Sequence, residues 1–76
     1  MPSNHPELRE FGRRVRERRL ELKLSQEELA ERAQLHRTYI SSLEQGRRNV
    51  AVHNVVRLAE ALDIDPAELV RGLAAE

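Results

Sequence analysis

Apolar residues return every three or four positions along almost the whole chain, and almost nowhere with period two. That spacing lines one face of a helix and does not fit the alternating faces of a strand. Leu8, Phe11, Val15, Arg19 and Leu22 form the first stripe. Pro6 suits an early helical position, where its missing N–H would be unpaired in any case, so a first helix is expected to start near residues 5–7. Ser25-Gln26-Glu27-Glu28 is a capping box, in which a serine and a glutamate three residues apart each bond the other's backbone N–H. It opens a second helix with Leu29, Ala30 and Ala33 inward. A third helix is predicted from about Arg37 to Gln45, with Ile40, Leu43 and Glu44 inward and Gly46 as its left-handed stop. So few residues separate the second helix from the third that they make a turn, not a linker. Val52, Val55, Val56, Ala59 and Leu62 define a fourth helix. Asp65-Pro66-Ala67-Glu68 reads as another capping box, opening a short fifth helix with Leu69, Val70 and Leu73. The expected architecture is all-α: five helices in one compact domain spanning residues 1–76, without repeats or linkers.

At 76 residues the chain lies near the lower end of what buries a self-sufficient core, which favours a second copy as a stabilising partner. With no cysteine, neither a disulfide nor a cysteine-bound metal can staple it. His5, His36 and His53 lack the spacing of a histidine metal site, so no metal and no cofactor is expected. The short apolar runs exclude a membrane span, and no charged-then-apolar leader opens the chain, so a cytoplasmic protein is expected. The net charge of zero conceals a division. Residues 9–48 hold 11 basic and 7 acidic side chains, a net +4, whereas the rest hold 2 and 6, a net −4. One pole can face phosphate while the other does something else.

Two short helices joined by a tight turn let the second lie in the major groove of DNA while the first crosses the backbone. Near the start of the third helix, Arg37, Thr38, Ser41 and Ser42 are neither core nor cap. Arg37 can donate two hydrogen bonds to guanine O6 and N7, the commonest specific contact in that groove. Thr38 and Ser42 are short and suit bases or nearby phosphates, and Ser41 lets the helix approach closely. Tyr39 either meets a phosphate or a thymine methyl, or covers the edge of the core. Gln26 sits in the first turn of the second helix, where unpaired N–H groups attract anions. Arg47, Arg48 and Asn49 follow the glycine stop and can clasp the same backbone. Arg13, Arg14, Arg16 and Arg18 read as a solvated basic face. Arg19 interrupts the first apolar stripe and Glu44 lies on an inner face, so each requires a partner.

Leu24-Ser25-Gln26-Glu27-Glu28-Leu29-Ala30, followed by Tyr39-Ile40-Ser41-Ser42-Leu43-Glu44-Gln45-Gly46-Arg47-Arg48-Asn49, resembles the lambda-repressor-like (XRE, Cro/CI-type) helix-turn-helix family. The resemblance covers residues 10–73, with the motif at about 25–45 and dimerisation helices at about 52–73. His36-Arg37-Thr38-Tyr39-Ile40-Ser41, with Arg48-Asn49, is also similar to the controller proteins of restriction–modification systems. The resemblance implies a transcriptional regulator that binds double-stranded DNA as a homodimer on a pseudo-palindromic operator. It implies base contacts from Arg37, Thr38, Tyr39 and Ser42, and phosphate contacts from Gln26, Arg47, Arg48 and Asn49. It also implies that Arg19 pairs with Glu44, and that the acidic end carries a two-fold interface through Leu58, Ile64, Val70 and Leu73.

The chain departs from the family pattern in places. Lys23 and Gln34 stand where glycine is frequent, so each must tolerate or avoid positive φ. Val50 and Ala51 replace a frequent proline and serine or threonine, which leaves the fourth helix without its usual cap and Asn54 as the residue that could compensate. Arg18 stands where an apolar residue is common and predicts a thinner core there.

Two other readings weigh less. An antitoxin-type protein-interaction module would need a tail to cover its toxin, and only a few residues are seen after Leu73. An enzyme would need a cysteine, a histidine–carboxylate pair on one face or a glycine-rich phosphate loop. No small-molecule ligand is expected. RNA binding would call for stacking aromatics, and only Phe11 and Tyr39 are present.

Overall fold

The computed structural model describes residues 5–73, and these form five helices in the order that the spacing predicts. They are α1 (Pro6–Glu21), α2 (Gln26–Ala33), α3 (Arg37–Glu44), α4 (Val52–Ala61) and α5 (Pro66–Val70), with no strand among the described residues. α1 packs on α3 and α5, α2 on α3 and α4, and α4 on α5. Phe11, Val15, Leu29, Ile40, Leu43, Leu58, Leu62 and Leu69 are the large side chains of the shared core.

Four helices end in the same way. The chain turns through the left-handed region at Lys23 (φ 59°), Gln34 (φ 59°), Gly46 (φ 76°) and Asp63 (φ 57°). The next N–H then reaches the carbonyl five residues back: Leu24 to Arg19, Leu35 to Ala30, Arg47 to Ser42 and Ile64 to Ala59, at 2.9–3.0 Å. A carbonyl that the helix end would leave bare is thereby satisfied. The left-handed conformation costs an L-residue about 1–2 kcal/mol. Leu24, Leu35 and Ile64, the residues that follow three of these turns, fold onto the core. Fully burying such a side chain contributes about 1.5–3 kcal/mol, and the burial of Leu24 and the partial burial of Leu35 and Ile64 act against the strain. Lys23 and Gln34 therefore tolerate positive φ and do not avoid it.

The starts differ more. Ser25 and Glu28 form the reciprocal box: the serine Oγ accepts from Glu28 N at 3.0 Å, and the glutamate Oε1 accepts from Ser25 N at 2.8 Å. The second expected box is only half made. Asp65 Oδ1 accepts from Ala67 N at 2.9 Å, whereas Glu68 turns to Arg71, also at 2.9 Å. α4 starts from Ala51 with no side-chain cap, and Asn54 does not supply one.

Four positions correct the sequence reading. Leu58, expected at a dimer surface, is 0% exposed within the single chain and belongs to its own core. Val52 and Val56, expected inward, are 79% and 40% exposed. α4 is covered by α2 and α5 together, so its inner stripe falls on Leu58, Ala59 and Leu62 and rotates the first valines outward. Arg18 is not solvated either. Its Nε and Nη2 donate to the carbonyls of Leu62 (2.9 Å) and Asp63 (3.2 Å), which fastens the end of α4 to α1.

α1 and α3 approach closely at Gly12, where a Cβ would lie 2.2 Å from the Leu43 carbonyl oxygen. Beyond this crossing Arg19 meets Glu44. Arg19 Nε and Nη2 donate to the two carboxylate oxygens at 2.8 and 3.1 Å, and Nη1 donates to the Leu24 carbonyl at 2.8 Å. The two side chains are 9% and 3% exposed. Arg19→Ala should lower unfolding stability by roughly 3–5 kcal/mol, because it leaves the Glu44 carboxylate buried without its cation. Denaturant melts check this, and a midpoint equal to that of the wild type would refute it.

Candidate nucleic-acid interface

α3 is presented by its own pattern. Ile40 and Leu43 are buried at 0% and 1% exposure, which turns the opposite side of the helix outward. Arg37 and Thr38 are exposed in its first turn, and Ser41 and Ser42 are half-buried along its flank. His36 precedes the helix in extended conformation and makes no side-chain cap. Its Nδ1 lies 3.3 Å from Thr38 Oγ1 instead.

Gln26 is the first residue of α2, and its Nε2 donates to Glu44 Oε1 at 3.1 Å. The buried carboxylate thus holds the glutamine beside the N-terminal turn of α2. A primary amide carries two N–H donors, so one remains for another acceptor. A shallow cleft of about 540 Å³ is lined by Arg19, Ser25, Gln26, Glu27 and Arg37, and joins the start of α2 to the start of α3. Gln26 and Arg37 are therefore brought together.

Tyr39 covers the core edge, the second of the two roles that the sequence allows. Its ring is half-buried against the core edge, and its hydroxyl accepts a hydrogen bond from Asn54 Nδ2 at 3.2 Å. Arg48 reaches back from the loop after α3 and sets its guanidinium 5.4 Å from the ring centroid, within cation–π range. Arg47 and Asn49 are exposed on the same loop. Sequence reasoning missed Asn54 in this role. The two residues are 15 positions apart on different helices, and an asparagine in a first helical turn reads most simply as a cap.

The arginines of α1 are largely engaged elsewhere. Arg13 pairs with Glu10 and Glu17, and Arg14 with Glu10. Hydrogen bonds from Arg13, and then from Arg14, pull the Glu10 carboxyl down to about 2. These pairs weaken the positive field of the face that Arg13 and Arg14 share. At the other end, Val70 is 42% exposed, while Ile64 and Leu73 are partly buried against the core. Among the described residues no cluster of histidine, cysteine or carboxylates could hold a metal, and no helix is long and apolar enough to cross a membrane.

The start of α2 has its own pH dependence. The Ser25 backbone N–H donated to Glu28 holds that carboxyl below the ordinary glutamate range. A folded pKa below the unfolded value means that the box stabilises fully at neutral pH. Its contribution fades as pH drops below about 4.3 and through the lowered folded value. The advantage of wild type over Glu28→Ala in thermal melts should therefore shrink on acidification. A gap that stays constant down to the acid limit would exclude this account.

A helix-turn-helix family model matches residues 15–69. The chain is 47% identical over 60 residues to Control protein C.BamHI of Bacillus amyloliquefaciens, an alignment covering 78% of this chain and 74% of that protein. The crystal structure of the restriction-modification controller protein C.AhdI from Aeromonas hydrophila is similar with a TM-score of 0.83 at 48% identity, covering 84% of this chain and 97% of that one. The controller protein C.Esp1396I, solved as a tetramer in complex with its natural 35 base-pair operator, is similar with a TM-score of 0.79 at 28% identity, covering 88% of both chains.

Proposed function

The chain belongs to the helix-turn-helix family, and from that premise we propose that it is a transcriptional regulator of the restriction–modification controller type, binding double-stranded DNA as a homodimer on a pseudo-palindromic operator. The observation that carries this reading is the pairing of an outward α3 start with anchors on both sides. Arg37 and Thr38 are exposed where a major-groove helix reads bases, Gln26 stands across the cleft at the start of α2, and Arg48 lies over Tyr39.

The roles divide by chemistry. Arg37, with a planar guanidinium and no intramolecular hydrogen bond assigned to it, reads a guanine. Thr38, Ser42 and Tyr39 add short-range contacts to bases. Gln26, with its remaining amide N–H, and Arg47, Arg48 and Asn49 hold phosphates and set the register. Arg37→Ala should cost roughly 1–3 kcal/mol on the preferred sequence and relax the choice of one guanine, while Gln26→Ala should weaken all sequences alike. Selection from random duplex DNA followed by titration separates the two. Equal losses for Arg37→Ala on preferred and random duplexes would refute its base-reading role.

The second copy docks at the α5 end through Val70, with Ile64 and Leu73 beside it. A two-fold axis there sets two α3 helices about 34 Å apart, one turn of B-DNA. Sedimentation should find dimers at micromolar concentration and monomers for Val70→Glu. A wild type that stays monomeric would remove the dimer from the proposal.

A further inference from the structure

Asn54 and Arg48 act on the same side chain from opposite directions. Asn54 is half-buried in the first turn of α4, its backbone fixed by an N–H donated to the Ala51 carbonyl at 2.9 Å. From there its Nδ2 donates to the phenol oxygen of Tyr39 at 3.2 Å. A phenol has one proton to give, and its oxygen accepts poorly a second time. With the accepting side occupied, the capacity left to Tyr39 is its O–H. The Arg48 guanidinium over the ring favours the same polarity, since a cation on the π face stabilises the electron density that the phenol gains when its proton is shared.

Resting on the reading that this face binds DNA, we propose that Asn54 is a positioning residue that fixes the Tyr39 hydroxyl as a hydrogen-bond donor. Tyr39 then engages an acceptor oxygen of the bound duplex and rejects an amino group at the same place. The acceptor is a phosphate oxygen or the keto oxygen of a base, which share this chemistry. The competing account is that Asn54 only supports the start of α4, where no side-chain cap exists. In that case its effect does not depend on the phenol.

A double-mutant cycle on the duplex recovered by selection from a random pool decides between them. Asn54→Ala should lower affinity about 3- to 10-fold in the wild-type background, the range for one hydrogen bond. In Tyr39→Phe, which has no hydroxyl to orient, the same change should matter less than about 2-fold. Asn54→Asp keeps the side chain's shape but accepts the phenol proton, so it should lose at least as much as Asn54→Ala, and only when Tyr39 is present. Melting curves accompany each variant; where Asn54→Ala melts low, Asn54→Asp carries the comparison. Coupled losses on every sequence identify a phosphate, and coupled losses confined to one base pair identify a base keto oxygen; both support the assignment. Equal losses in the two backgrounds, or none in either, overturn it. A wild type that enriches no sequence would overturn the DNA-binding reading and this inference with it, whereas enrichment with an uncoupled Asn54 would overturn this inference alone.

Discussion

The arrangement of the first three helices depends on one buried ion pair. Removing the Arg19 and Glu44 charges from water is expensive, and attraction alone does not repay it unless the geometry is good and the remaining hydrogen-bonding groups are satisfied. Here both conditions hold. The guanidinium meets the carboxylate through two nitrogens and gives a third bond to the Leu24 carbonyl, while Gln26 adds an amide N–H to the carboxylate. Among the described residues no buried side-chain nitrogen or oxygen lacks a partner. These bonds tie together α1, the turn after it, the start of α2 and the end of α3. They fix where the reading helix and its neighbouring anchor stand relative to each other, and the close crossing at Gly12 allows the pair to meet.

Around that pair the connections are made rigid by backbone geometry. Left-handed turns at Lys23, Gln34, Gly46 and Asp63 end four helices with the same bond pattern. Three of the four use residues with a Cβ, so local strain is accepted where the following leucine or isoleucine gains burial. Short, fully bonded turns of this kind leave little slack between α2 and α3, which a side chain reading a base edge requires.

Charge is distributed to match. Arg13 and Arg14 are paired within α1, Arg18 clasps α4 and Arg19 is held by Glu44, so the number of basic residues overstates the field near the motif. Three exposed cations, Arg37, Arg47 and Arg48, follow one another across α3 and its loop. Asp63, Asp65 and Glu68 cluster along the chain at the end of α4 and the start of α5, and Val70 of α5 is exposed.

The period of the apolar residues, the Ser25–Glu28 box and Gly46 determined the five helices, the tight turn and the outward side of α3, because these are local properties of a helix and its ends. They also determined that Arg19 and Glu44 each needed a partner, since a charge on an inner face cannot stand alone. Only the tertiary structure decided which way α4 faces. Its valines and leucines fit two stripes equally well, and simultaneous contact with α2 and α5 selects Leu58 over Val52 and Val56. It also decided that Arg18 closes the end of α4, that Asn54 serves Tyr39 and leaves α4 uncapped, and that Gln26 shares the buried carboxylate. Each of these joins residues far apart in the chain on different helices, and no periodicity along one helix encodes the distance between two.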